Sequence, residues 1–305
     1  MKKLLFIFNP YSGKAQLKNN LFEVVDIFVK AGYYVMTYPT QAPMDACRVI
    51  DEIGDKFDRI VVSGGDGTLD ETVRSVLAKD MRKIPIGYIP SGTTNDFANT
   101  LGIPFNILQA AENAVSGVEF ECDICTFNSQ PFNYVAAFGA FTEVSYETPQ
   151  ENKNVLGHLA YIIEAMKKLT NIKPKHVRVE YDDNVIDDDI ILGLVLNTKS
   201  VGGFDNSLLD ISKLNDGIFE VILIKNPSNI LQLPSTITEL LQAKTESQGY
   251  YVFQTSKMTI HTDEDVKWTL DGEFGGEVTK AELGIIPKAV SFIIPPAELS
   301  EISDQ

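Results

Sequence analysis

The chain has 305 residues, 44% of them hydrophobic, with a mean hydropathy of −0.02, which is enough for about two cored domains at roughly 150 residues each. That composition excludes disorder, collagen and coiled coil as the main state. Set against 42 acidic side chains, 26 basic ones leave a net charge of −16, and a general nucleic-acid binder, which needs a basic surface, is excluded too.

In chain order, Met1-Lys2-Lys3 followed by Leu4 to Phe8 imitates a leader, but the apolar run stops at Asn9-Pro10 with no cleavage site and reads as a buried first strand. Strand-like runs then alternate with helix-period segments: Leu21 to Lys30, Tyr34 to Tyr38, Met44 to Ile53, Arg59 to Ser63 and Leu69 to Leu77. Ile86 to Ile89 and Ile107 to Val115 complete the series. This alternation predicts an α/β nucleotide-binding domain, a parallel sheet flanked by helices, whose ligands sit beyond the carboxyl ends of the strands.

From Phe120 the texture becomes β-rich: His176 to Tyr181, Ile190 to Leu196, Phe219 to Ile224, Tyr250 to His261 and Val290 to Ile294. Leu156 to Leu169 and Ser228 to Leu241 are the two helical interruptions. The expected organisation is an α/β domain over 1–120, a mainly antiparallel β sandwich over 121–296 and an acidic tail over 297–305. Charge divides the same way: residues 1–120 carry 12 basic and 14 acidic side chains, leaving 14 and 28 for the rest, so an anionic ligand belongs in the first part. Only three cysteines (Cys47, Cys122 and Cys125) and no apolar run long enough to span a bilayer predict a cytoplasmic protein with at most transient, peripheral membrane contact.

The chemistry concentrates at strand ends. After Ile60-Val61-Val62 comes Ser63-Gly64-Gly65-Asp66-Gly67-Thr68-Leu69-Asp70-Glu71. Its glycines let successive N–H groups form an anion nest at a helix start, and Asp66 would repel phosphate unless a divalent cation lay between them. The same residues also fit a tight turn with an aspartate N-cap. A second loop, Pro90-Ser91-Gly92-Thr93-Thr94-Asn95-Asp96-Phe97, brings a second carboxylate beside Asp66. Asn9-Pro10-Tyr11-Ser12-Gly13-Lys14 lacks the spacing of a Walker A loop but offers Ser12 and backbone donors. Cys122-Asp123-Ile124-Cys125 lies on a strand without a second cysteine pair and reads as structural, as do the three scattered histidines. Asp182-Asp183 and Asp187 to Asp189 read as a solvated turn.

Taken together, Asn-Pro-x-Ser-Gly, Gly-Gly-Asp-Gly-Thr, Pro-x-Gly-Thr-x-Asn-Asp-Phe and Asp271-Gly272-Glu273 resemble the soluble bacterial diacylglycerol kinases, relatives of sphingosine and ceramide kinases. The likeness extends over about residues 3–295 and includes Val144 to Pro149 and Leu214 to Phe219. It implies an ATP- and Mg-dependent lipid kinase that phosphorylates a hydroxyl of diacylglycerol or a related lipid, with a homodimer as one possible assembly. Implied ATP contacts are Asn9, Pro10, Tyr11, Ser12, Gly13, Thr40, Gly64, Gly65, Asp66, Gly67, Thr68, Leu69, Asp70 and Thr93. Glu273 is the implied proton acceptor. Asp66, Asp96 and Asp123 are implied in the water network of the nucleotide Mg, with Asp271 near it. A structural Mg would take the Asp216 carboxylate and the carbonyls of Lys213 and Ile218.

At Asp70 the family usually has Asn, which adds a negative charge here. Two other readings stay open: a soluble kinase acting on NAD, and an inactive nucleotide-binding regulator. The densest basic stretch, Lys167, Lys168, Lys173, Lys175 and Arg178, is a candidate for meeting an anionic membrane.

Overall fold

The computed structural model describes residues 1–13, 16–93, 95–140, 173–197, 200–201, 204–205, 214–241 and 248–296. Two compact units result: residues 1–122 with 288–305, and residues 123–287.

The first unit opens with β1 (Lys2–Phe8), α1 (Gln16–Lys30), β2 (Tyr33–Pro39), α2 (Asp45–Ile53) and β3 (Arg59–Gly64). It continues with α3 (Asp66–Ala78), β4 (Ile86–Pro90), α4 (Asp96–Thr100) and α5 (Ile107–Ser116). β1 pairs in parallel with β2 and β3, and β3 pairs in parallel with β4. β1, β3 and β4 are buried apolar runs, the signature of strands covered on both faces. α1 buries Leu17, Val24 and Phe28 at helical spacing, and the Phe28 ring meets Phe6 edge-on at 5.3 Å. α5 starts where the Asn106 side chain accepts the N–H groups of Leu108 and Gln109.

The second unit takes over within β5 (Val118–Phe127) and adds β6 (Gln130–Phe132), β7 (Val135–Gly139), β8 (Lys175–Tyr181) and β9 (Asn184–Leu196). Then come the short β10 (Ser200–Val201) and β11 (Phe204–Asp205), β12 (Phe219–Lys225), a 3-10 turn, α6 (Leu233–Leu241), β13 (Tyr250–Thr255), β14 (Lys257–Leu270) and β15 (Glu273–Ile294). Its pairings are antiparallel. β8 joins the first half of β9 to the first half of β14, and β7 joins their second halves, so the strands fold around one core. Trp268 is its centre, with the Phe127 and Phe138 rings at 4.9 and 4.7 Å.

One boundary departs from the sequence expectation. Residues 288–296 were expected in the β domain, but from Lys288 the chain rejoins the first unit. Lys288 takes a left-handed φ of 50°, and beyond it Phe292 pairs in parallel with Ile86 of β4. Asn113 Nδ2 donates to the Ile293 carbonyl at 3.0 Å, and the Phe292 ring meets Phe97 at 5.2 Å. The run from Ala289 to Ile294 is wholly buried, as a covered parallel strand must be.

Smaller differences concern the second unit. Tyr250 to His261 is split between β13 and β14, and Asp187 to Asp189 lie in β9 rather than in a turn. There Asp187 and Asp189 flank His176 at 3.1 and 3.0 Å, and the hydrogen bond to Asp189 raises the imidazole pKa. The expected helix Leu156 to Leu169, the segment Val144 to Pro149 and the tail 297–305 lie outside the described residues.

Candidate active site

Because β1, β3 and β4 run parallel and in register, the loops that follow them leave the sheet at one edge. Backbone bonds join these loops: Asn9 N–H donates to the Ser63 carbonyl at 2.9 Å, and Ser91 N–H to the Gly64 carbonyl at 2.9 Å. The contact is so close that two positions admit only glycine. Gly13 has φ +53° and a Cβ there would stand 2.3 Å from the Ser91 carbonyl oxygen, while a Cβ on Gly92 would stand 2.4 Å from Gly65 Cα. Asn95, itself left-handed, accepts from Gly92 N–H at 2.9 Å and donates to the Gly92 carbonyl at 3.0 Å.

Asp66 opens α3, and its carboxylate accepts the N–H groups of Asp96 and Phe97 at 3.3 and 3.4 Å. It therefore caps the start of α4 from the neighbouring loop. Burial raises the Asp66 pKa against these N–H donors. Asp96 is pushed up to about 7, first by burial and then by the charge of Asp66. Beneath them the buried Tyr88 hydroxyl donates to the Gly64 carbonyl, and burial with both carboxylates nearby keeps the phenol neutral.

Beside the loops lies a cavity of about 350 Å³ lined by Asn9, Tyr11, Thr40, Gln41, Ala42, Pro43, Gly67, Thr68 and Glu71. Asn9 Oδ1 accepts Tyr11 N–H at 2.9 Å, leaving the Tyr11 ring 83% exposed. Thr40 is buried, its N–H bonded to the Phe8 carbonyl. Thr93 is exposed on its loop and is not part of this lining. Asp70 is turned to Arg74, one helical turn on, at 2.7 Å.

Glu71 was missed as a site residue. Its carboxylate accepts Met44 N–H at 2.8 Å and Ala46 N–H at 3.2 Å, capping α2 and fixing the 40–43 wall of the cavity. The signal was available: an acid three residues after the Gly-Gly-Asp-Gly-Thr segment, with a helix start in need of an acceptor.

In the second unit, Asp271 and Gly272 take φ 50° and 87°, the pair of left-handed residues that a tight two-residue hairpin requires, and Glu273 stands opposite Leu270. The Asp271 carboxylate accepts three N–H groups, from Asn133 at 2.6 Å and from Tyr134 and Val135 at 3.0 Å each. Glu273 is exposed, next to a Phe274 side chain that is 56% exposed. Asp123 is fully buried, and its carboxylate accepts Gly217 N–H at 2.6 Å. Asp216 is exposed and accepts Ile218 N–H at 3.1 Å, while Lys213 lies outside the described residues. Cys122 and Cys125 are buried and not joined in a disulfide. Among the described residues, no three His, Cys, Asp or Glu side chains gather as a metal cluster.

This arrangement has close counterparts. The family model described as "Diacylglycerol kinase catalytic domain" matches residues 3–127, and "YegS C-terminal NAD kinase beta sandwich-like domain" matches residues 136–294. A diacylglycerol kinase of Bacillus subtilis (strain 168) is 34% identical over 307 residues, covering 100% of both chains. The chain belongs to the diacylglycerol kinase family. Another member, the diacylglycerol kinase of Staphylococcus aureus (strain MRSA252), is 34% identical over 91% of this chain and 88% of its own. A crystal structure of a diacylglycerol kinase from Bacillus anthracis str. Sterne superposes with a TM-score of 0.82 at 26% identity, covering 97% of this chain and 98% of that one.

Two features set this family member apart from the sequence expectation. The extra charge of Asp70 is paired with Arg74. In the described part of the basic stretch, Lys175 pairs with Glu264 at 2.6 Å and Arg178 with Glu180 at 2.9 Å, while Lys173 is exposed. Lys167 and Lys168 lie outside the described residues. No helix among the described residues is long and apolar enough to cross a membrane.

Proposed function

We propose that this protein is an ATP-dependent lipid kinase that transfers the γ-phosphoryl group to the hydroxyl of diacylglycerol, giving phosphatidic acid. The observation that carries the reading is the cavity between the segments that follow β1, β2 and β3, lined by Asn9, Tyr11, Thr40, Gly67 and Thr68, in a chain related over its full length to named diacylglycerol kinases. Backbone N–H groups at the start of α3 bind phosphate oxygens, and the 40–43 segment walls the nucleoside.

Asp66 and Asp96 suit a hydrated Mg ion. Both are hard oxygen donors, and burial together with mutual repulsion disfavours the doubly ionised pair unless a cation offsets it. When bound, Mg neutralises phosphate charge as it builds towards the transition state. A lipid alcohol is a poor nucleophile, and Glu273 accepts its proton as it attacks phosphorus. The exposed hairpin tip leaves that carboxylate open to an incoming hydroxyl. Asp271 holds the hairpin through its three N–H bonds.

The test is transfer of labelled γ-phosphate from Mg-ATP to diacylglycerol, phosphatidylglycerol, ceramide, sphingosine and NAD in mixed micelles. Label on diacylglycerol, lost in Glu273→Gln with ATP binding retained, is the expected result. Label on NAD alone, or wild-type turnover in Glu273→Gln, would overturn the assignment.

A further inference from the structure

Three serines lie beneath the strand-end loops, and only Ser12 has a role so far. Ser63, in β3, is fully buried, and Ser91, just beyond β4, is 9% exposed. Ser63 Oγ is 3.1 Å from Ser91 Oγ, and Ser91 Oγ is 2.7 Å from Ser12 Oγ. Ser12 Oγ donates to the Asn9 carbonyl at 3.1 Å.

A hydroxyl has one proton to give and two lone pairs to receive with. Ser12 commits its proton to the Asn9 carbonyl, so in the 2.7 Å contact the donor must be Ser91. Ser91 then has no proton left, and Ser63 must donate to it. The protons therefore run one way, from Ser63 through Ser91 and Ser12 to a peptide carbonyl. Aligned O–H dipoles polarise one another, which makes the last O–H the strongest donor of the chain. That last hydroxyl belongs to half-buried Ser12, on the loop beside the cavity. An anionic phosphate oxygen is a better acceptor than the carbonyl it would displace.

We infer that Ser91 and Ser63 are positioning residues of the nucleotide site, presenting Ser12 as a polarised O–H donor to a phosphate oxygen. This rests on the nucleotide reading of the same loops. Ser91 suits a test because its backbone is held independently: its N–H donates to Gly64, and its carbonyl packs on Gly13. Removing the hydroxyl therefore leaves the loop in place.

The experiment is calorimetric titration of wild type, Ser91→Ala, Ser63→Ala and the double variant with Mg-ATP and with adenosine, alongside steady-state transfer and melting curves. Ser91→Ala is expected to weaken Mg-ATP binding about five- to tenfold and to raise KM for ATP equally, because Ser12 loses the hydrogen bond that orients and polarises its O–H, with kcat within about twofold. Ser63→Ala should lose about two- to threefold by depolarising the chain, and the double variant no more than Ser91→Ala alone, because the chain is already broken there. Adenosine binding and melting temperature should not move. Unchanged Mg-ATP binding in Ser91→Ala, strictly multiplicative losses in the double variant, or equal losses for adenosine would each overturn the inference. Wild type failing to bind Mg-ATP would instead overturn the nucleotide reading beneath it.

Discussion

Replacing Arg74 by Met removes the partner of Asp70 while keeping helix propensity and much of the stem volume. The two groups lie 2.7 Å apart, with side chains 29% and 19% exposed, so water screens the pair only partly. With charge centres about 4 Å apart and an effective dielectric near 20, the gross attraction is about 4 kcal/mol, of which desolvation and side-chain ordering leave about 1 kcal/mol. The functional effect comes from the charge left behind. Asp70 stands in the first turns of the helix whose N-terminus is assigned to phosphate, and a carboxylate there without the Arg74 charge opposes the ligand more strongly. An opposition of about 1.4 kcal/mol is a tenfold rise in KM for ATP. Arg74→Met is therefore expected to raise KM for ATP about five- to tenfold with kcat nearly unchanged, and to do so less in high salt, which screens exposed charge. Adding Asp70→Asn should return KM to within about twofold of wild type, because nothing is left to neutralise. Initial-rate kinetics at two ionic strengths decide it. A double variant as impaired as Arg74→Met would refute the charge argument and make Arg74 a packing residue.

Glu220 is buried and pushed up to about 7, chiefly by burial, against one hydrogen bond from Gln254 at 3.0 Å. The folded protein thus binds a proton that the unfolded chain releases near pH 4.5, so this group's contribution to stability falls as pH rises from about 4.5 to 7 and is level above. Glu220→Gln should match wild type at pH 5 and melt higher at pH 8, as thermal scans across that range will show. Asp271→Asn turns an amide N–H₂ against one of three backbone donors and is expected to cost about 1–3 kcal/mol in urea unfolding, with turnover falling more than ATP binding. Proton competition at Asp96 predicts that Mg-ATP affinity rises as pH increases through about 7, and a calorimetric pH series without that rise would count against Asp96 as a metal-side group. Asp216→Ala should abolish any Mg-induced rise in melting temperature, and an undiminished rise would remove the structural Mg assignment.

Much of this was legible because it is local. The β1, β3 and β4 runs are apolar throughout, and the glycine and acid spacing after each marks a strand-end loop whatever the rest of the chain does. What escaped was set by contacts distant in sequence. Asp66 caps a helix thirty residues on, Glu71 caps one that precedes it, and Asp271 clamps backbone at Asn133 to Val135; none of these leaves a periodic trace. The Asp70 to Arg74 pair, in contrast, was readable from its four-residue spacing on a predicted helix. Val290 to Ile294 was grouped with the β domain by composition, although an unbroken apolar run fits a covered parallel strand better.

The return of the chain at Lys288 also bears on how the protein is made. Residues 123–287 form one uninterrupted stretch, so that unit can fold as soon as it clears the ribosome. The other unit begins first but must wait for Ala289 to Ile294, because until they arrive β4 offers an open sheet edge and Phe97 lacks Phe292. Throughout synthesis of the intervening 165 residues that edge is free to pair with a neighbouring nascent chain. A chain truncated before Ala289 therefore has a first unit that lacks the strand beside β4, however complete the other unit.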